Sequence, residues 1–188
     1  MSDNSAIVAS LSAPLRSTKL DSNFSDSVSR RHGGKNLLLC YQCGSCAGGC
    51  PVGKIMNSFN PRQIIHLTLM GLKNEVLSSD SIWLCASCYT CQERCPQEVE
   101  IADLMFTLRN MAVEEGHVPR AMIDQASLLL ENGRIVPFTS LVERSRQTLG
   151  LSKIPNASPD AVKKIAMATG FDKLIEKLKE TTKETTIV

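Results

Sequence analysis

Residues 40–51 read Cys40-Tyr41-Gln42-Cys43-Gly44-Ser45-Cys46-Ala47-Gly48-Gly49-Cys50-Pro51, and residues 85–96 read Cys85-Ala86-Ser87-Cys88-Tyr89-Thr90-Cys91-Gln92-Glu93-Arg94-Cys95-Pro96. Both follow C-x2-C-x2-C-x3-C-P, and between them they hold all eight cysteines of the 188-residue chain. A disulfide scaffold would spread its cysteines along the sequence, whereas here they crowd into two windows of eleven residues. Metal or cluster binding is the better reading of such crowding.

The spacing is that of the bacterial ferredoxins, which ligate two [4Fe–4S] clusters. Three thiolates at three-residue intervals lie on one short loop, which wraps a corner of a cubane and aims backbone N–H groups at its sulfurs. The fourth cysteine points away to the other cluster, and the proline turns the chain. The expected ligand sets are Cys40, Cys43, Cys46 and Cys95 for the first cluster, and Cys85, Cys88, Cys91 and Cys50 for the second. Each run then needs its twin, and the clusters come close enough to exchange electrons.

Two zinc sites would also use eight cysteines, but zinc knuckles separate their C-x2-C pairs by a longer loop. A [3Fe–4S] centre would show a missing cysteine. A purely structural pair of clusters is the remaining alternative, because ligation also assists folding. Ser45, Ala47, Gly48 and Gly49 would let backbone approach the first cluster, with Lys54 just beyond. Tyr89, Gln92, Glu93 and Arg94 would surround the second. Such differences in hydrogen bonding, charge and exposure predict two unequal potentials, which would give a relay its direction. Trp83, Tyr41 and Tyr89 flank cysteines as packing that excludes water. His32, His66 and His117 are isolated and read as surface or core filler.

Helix signals fill the rest of the chain. Residues 1–34 are rich in Ser, Asn and Asp and form a polar, partly flexible N-terminal arm, with a short helix from Phe24 capped by Ser25 and ended by Gly33-Gly34. Asn60-Pro61 starts a helix whose apolar face, Ile64, Ile65, Leu67, Met70 and Leu72, fades near Ser78-Ser79-Asp80. A second helix is predicted over Ile101–Glu115 before Gly116, a third from Pro119 to Gly133, and a fourth over Phe138–Leu149. Ser158-Pro159-Asp160 opens a fifth, and Phe171–Glu180 is amphipathic, with Leu174, Ile175 and Leu178 inward. The last eight residues are expected to fray. No strand pattern of any length is visible. The fold class is therefore all-α: a dicluster domain over 35–116 and a helical, partner-contacting extension over 117–188.

Composition narrows the function. The chain is 43% apolar but only 4% aromatic, so aliphatic side chains must build the core, which favours helices over a β-sandwich. A net charge of +2 is too small to indicate nucleic acid. No stretch suits a membrane span or a signal peptide, so a cytoplasmic protein is expected. No flavin or nicotinamide fingerprint is present, because Gly33-Gly34 makes no dinucleotide loop. With every cysteine used as a ligand, no nucleophile remains and no catalytic residue is assigned.

Thirty-four residues with a helix separate Cys50 from Cys85, a spacing that resembles the α-helical ferredoxin domain of succinate dehydrogenase and fumarate reductase iron–sulfur subunits. The further cysteines of their [2Fe–2S] domain are missing here, and so are the CCG repeats found in iron–sulfur proteins of glycolate and glycerol-3-phosphate oxidation. The chain is most similar to the C-type (HdrC) family of heterodisulfide reductase subunits, in its soluble methanogen form. Residues 40–51, Asn60-Pro-Arg-Gln-Ile-Ile65, Ile82-Trp83-Leu84 with the second run, and the helix from Ile101 to Met111 carry the likeness. It is good from about residue 24 to 115 and less specific beyond.

That resemblance implies an electron relay from the flavin-bearing A-type partner (HdrA) to the B-type partner (HdrB), which reduces the coenzyme M–coenzyme B heterodisulfide in methanogenesis. It also implies assembly with a [NiFe] hydrogenase or formate dehydrogenase, and flavin-based bifurcation. The alternatives are an iron–sulfur relay protein of another oxidoreductase complex and a free dicluster ferredoxin.

Overall fold

The computed structural model describes residues 20–136, 139–152, 154 and 158–185, with side chains in the last helix described as far as residue 181. Every regular element among the described residues is helical. The chain divides into two compact units, Met1–His117 and Val118–Val188.

The first unit is built round α6 (Ile101–Glu114), which follows α1 (Phe24–Ser29), α2 (Ser45–Gly48), α3 (Pro61–Leu69), α4 (Lys73–Leu77) and α5 (Thr90–Glu93). The apolar residues of α6 recur at three and four positions, so one stripe turns inward. Ile101, Leu104, Met105, Leu108, Met111 and Ala112 are all buried on it. Gly116 stops the helix at φ +83°, where His117 N–H reaches back to the Ala112 carbonyl at 2.8 Å. Against this stripe pack Leu37, Ile64, Ile65, Val76, Leu77 and Ile82.

Within the N-terminal segment, Phe24 and Val28 are buried in the same core. Burial of Phe24 fixes the start of α1, so Asn23 takes the cap position in place of the expected Ser25, and no side chain caps the helix. Residues 1–19 of the predicted arm lie outside the described residues.

The helix expected from Asn60-Pro61 begins as predicted. The Asn60 carboxamide oxygen accepts from Gln63 N–H at 3.2 Å and Pro61 takes the first helical position. It does not run on to residue 78. Gly71 turns left-handed at φ +76°, Leu72 N–H returns to the Leu67 carbonyl at 3.0 Å, and α4 starts afresh at Lys73. The break lets the Gly71 carbonyl accept from Asp21 N–H at 2.8 Å, and a side chain at Gly71 would collide with the Asp21 backbone. It also leaves Met70, expected on the apolar face, 45% exposed.

The second unit holds α7 (Arg120–Asn132), α8 (Ser140–Thr148), α9 (Pro159–Thr169) and α10 (Phe171–Thr185). Helices α7, α9 and α10 pack on one another and bury Ile123, Ala166, Ile175 and Leu178. Gly133 and Gly170 end α7 and α9 at φ +68° and +74°. Helix α8 is capped by the Thr139 hydroxyl, which accepts from Val142 N–H at 3.4 Å. Phe138, its predicted first residue, lies outside the described residues. The fraying expected over the last eight residues does not begin there. With no Gly or Pro after Gly170 to stop it, α10 continues to Thr185, and residues 186–188 lie outside the described residues.

Candidate iron–sulfur centre

The two cysteine runs take nearly the same path. Each follows a 3-10 turn, Leu37–Leu39 before Cys40 and Asp80–Leu84 before Cys85, and both leading cysteines are extended. The residue before each second cysteine has positive φ, Gln42 at +61° and Ser87 at +52°. The residue after it is left-handed, Gly44 at +85° and Tyr89 at +60°. A one-turn helix then presents the third cysteine, Cys46 on α2 and Cys91 on α5. Helices α2 and α5 lie side by side, which brings the two runs together.

N–H donors reach four of the cysteine sulfurs. Backbone N–H groups of Gly53, Ser87 and Val99 donate to Sγ of Cys50, Cys85 and Cys95, each at 3.4 Å, and Gln42 Nε2 donates to Cys40 Sγ at the same distance. Ser45 Oγ lies 3.4 Å from Cys43 Sγ, and Thr90 Oγ1 stands 3.5 Å from Cys88 Sγ. These hydroxyls pull the pKa values of the exposed Cys43 and Cys88 thiols below the ordinary range. Burial pushes Cys46 up to about 11 and Cys91 up to about 12. The two inner thiols thus disfavour the anion unless a cationic group in the cavity compensates it.

The thiols stand round two cavities. Cys40, Cys43, Cys46 and Cys95 line the first, which encloses about 290 Å³ with its open mouth included. Cys50, Cys85, Cys88 and Cys91 line the second, about 360 Å³ on the same measure. Ile101, at the start of α6, borders both. Among the described residues no three His, Cys, Asp or Glu side chains converge closely enough for a single metal ion. Two roomy cavities with four thiols each, two of which in each cavity take an N–H donor, suit two iron–sulfur cubanes better than zinc ions.

The flanking residues divide differently from expectation. Gly49 makes room for Arg94, whose Nη1 would lie 2.7 Å from a Cβ there, whereas Gly48 has open space around it. Tyr89 borders the second cavity, and its hydroxyl donates to Asp103 Oδ1 at 3.0 Å. Gln92 Nε2 donates to the other Asp103 oxygen at 3.2 Å, and Gln92 Oε1 accepts from Ala102 N–H at 3.2 Å. Tyr41, expected to exclude water, is 59% exposed. His32, His66 and His117 line neither cavity.

Two residues outside the runs were missed in the sequence. Arg62 borders the first cavity from α3. Arg109, on α6, donates to the carbonyls of Ile82, Trp83 and Cys85 at 2.9, 3.4 and 2.7 Å. Only its position four residues after Met105, on the edge of the apolar stripe, hinted that it turns inward.

Residues 36–99 match the family of 4Fe–4S dicluster domains. The C-type member of the H2:CoB–CoM heterodisulfide, ferredoxin reductase of Methanothermobacter thermautotrophicus is 38% identical over 167 residues, 86% of this chain and 89% of that protein. The second C-type iron–sulfur protein of the CoB–CoM heterodisulfide reductase of Methanocaldococcus jannaschii is 40% identical over 147 residues, covering 75% and 78%. The corresponding protein of Methanopyrus kandleri is 37% identical over 146 residues, covering 74% and 76%. With two cysteine-lined cavities, a dicluster domain and relatives of this identity over most of its length, the chain belongs to the HdrC family of CoB–CoM heterodisulfide reductase subunits, as an iron–sulfur electron-transfer component with two [4Fe–4S] clusters.

Proposed function

We propose that the chain relays electrons from the flavin-bearing HdrA to HdrB, which reduces the CoM–CoB heterodisulfide. The observation that carries this reading is the mixed lining of the two cavities. Three cysteines of each run meet the fourth cysteine of the other, in two cavities that share Ile101 in their lining. Cys40, Cys43, Cys46 and Cys95 would hold the first cluster, and Cys50, Cys85, Cys88 and Cys91 the second. Each cluster, when bound, takes up and gives back one electron. The chain's own part is to hold the two groups close together, to keep them dry on the core side, and to leave Cys43 and Cys88 near solvent.

Partner contact is supported by the surface of the second unit, where Leu141, Leu149, Ile165 and Met167 are each about two-thirds exposed or more. We take residues 117–188 as an extension that meets other members of the complex, and residues 35–116 as the dicluster domain. A [NiFe] hydrogenase or formate dehydrogenase would supply the electrons, consistent with the reactants in the name of a Methanococcus maripaludis relative, an H2/formate:CoB–CoM heterodisulfide, ferredoxin reductase. A cytoplasmic site of action is consistent with the described helices, none of which is long and apolar enough to cross a membrane.

The test is reconstitution of the anaerobic complex with Cys46→Ala or Cys91→Ala in this chain. Heterodisulfide reduction driven by an artificial dye at HdrB should survive, while turnover from the physiological donor should be lost. Normal physiological turnover in either variant would sink the relay.

A further inference from the structure

Arg109 is a half-buried cation without an acidic partner. No carboxylate among the described residues forms an ion pair with it. Its guanidinium lies against two aromatic faces, 5.9 Å from the Trp83 centroid and 5.5 Å from that of Phe106. It donates to three carbonyls, the last being that of Cys85, a residue lining the second cavity. Burial pulls its pKa down and the nearby Cys85 thiol pushes it back up. An arginine nevertheless stays protonated in a protein, so the charge is fixed.

Among the described residues the first cavity has no equivalent. Its arginine, Arg62, is exposed, so water and salt screen it. The two runs are alike in fold, and two thiols in each cavity take an N–H donor, so the second cavity is set apart by its charged neighbours: Arg109 against the Cys85 carbonyl, and the Asp103 carboxylate that Tyr89 and Gln92 hold. A desolvated positive charge favours the reduced, more negative form of a neighbouring cluster.

We propose that Arg109 raises the reduction potential of the cluster in the second cavity relative to the first, through the unpaired positive charge it holds against Cys85. This rests on the assignment of Cys50, Cys85, Cys88 and Cys91 to that cluster. The role is one of positioning and tuning: Arg109 touches the backbone of Cys85 and acts on the cluster through space. The pair is thereby biased so that the electron settles at the second cavity.

The experiment is a potentiometric titration, followed by electron paramagnetic resonance, of the complete chain carrying both clusters. Cys88→Ser identifies the signal of the second cavity by altering it. A unit charge about 10 Å from a one-electron centre, at an effective dielectric near 20, changes the reduced-to-oxidised ratio by roughly tenfold. Arg109→Gln should therefore lower that ratio about tenfold at fixed potential, a downward shift of ~59 mV, for the second-cavity signal. The other signal should move less than about twofold, and Arg109→Lys, which keeps the charge, should stay within about threefold of the parent.

Phe106→Glu sets a carboxylate beside Arg109 and leaves the carbonyl contacts in place. It should shift the same signal in the same direction, and it decides the matter if Arg109→Gln fails to retain its clusters. An unchanged second-cavity signal in the variants that keep both clusters, or equal movement of both signals, overturns the proposal. If Cys50→Ser and Cys88→Ser alter different signals, the ligand assignment fails instead, while the Arg109 shift is still scored on the Cys88 signal.

Discussion

Gly33 lies against the carbonyl of Asp103, so close that a Cβ at Gly33 would sit 2.5 Å from the carbonyl oxygen. The neighbouring His32 carbonyl accepts from the buried Thr107 hydroxyl on the same helix. These contacts seat the segment after α1 on α6. Gly33 is also at φ +86°, a conformation that costs an L-residue about 1 kcal/mol even in open space. Gly33→Ala should therefore destabilise the first unit by roughly 2–4 kcal/mol. Gly48→Ala is the control: it is helical and nothing lies within 4 Å, so a gain of about 0.5 kcal/mol is expected. Anaerobic denaturant titration of the cluster-loaded protein checks both.

Arg31 and Glu114 tie the segment just after α1 to the end of α6 by two parallel bonds, Nη1–Oε1 at 2.7 Å and Nη2–Oε2 at 2.9 Å. The bond from Arg31 holds the Glu114 carboxyl below its usual range, so the folded state binds that proton less readily than the unfolded chain. The stabilisation is present above the unfolded pKa and is lost as pH falls through the folded one. Both groups are well exposed, so water screens the pair and about 0.5–1 kcal/mol is the ceiling. Glu114→Gln should cost that much at pH 7, and the difference from the parent should close as the pH falls from the ordinary glutamate range through the lowered folded value. A stability difference independent of pH would show that the pair acts only through packing.

Tyr89 occupies a left-handed position where the first run has Gly44. Its hydroxyl bond to Asp103 helps hold the strained backbone in place. Tyr89→Phe removes the bond and keeps the ring. Iron release from the second cavity to a chelator should then run faster, with release from the first unchanged. Tyr89→Gly removes both bond and strain and should release iron more slowly than Tyr89→Phe. Equal acceleration in both cavities would place the effect in the whole domain.

The cysteine runs were legible because their chemistry is local: spacing alone sets which thiols share a loop. Helices with a cap, a proline start or a glycine stop were legible for the same reason, as Asn60-Pro61, Gly116 and Gly133 show. The break at Gly71 was not, because it depends on a contact with Asp21 fifty residues away in sequence. Arg109 was hidden for a related reason. Its function lies in which carbonyls it meets across the fold, and no spacing rule announces an arginine that turns toward backbone. Tyr89 shows the limit of motif matching, since a tyrosine in a glycine's conformation is explained only by its partner on α6.

The proposed exchange of fourth cysteines makes the sharpest prediction about the site. In a design without exchange, Cys50 would serve the cluster of its own run, and Cys50→Ser would disturb the same resonance as Cys43→Ser. The geometry supports the opposite pairing. Cys50 is buried and lines the cavity of Cys85, Cys88 and Cys91, while Cys95 lines that of Cys40, Cys43 and Cys46. A serine ligand leaves a cluster in place but changes its resonance and lowers its potential, because alkoxide is a harder and more basic donor than thiolate. Cys50→Ser and Cys88→Ser should therefore change one signal, and Cys95→Ser and Cys43→Ser the other. The pairing also decides how the domain assembles. With exchange, neither run can complete a cluster before the chain between them has folded and brought α2 against α5. Loading at limiting iron should then yield chains with two clusters or none, read as native mass spectra, whereas independent loops would accumulate chains with one.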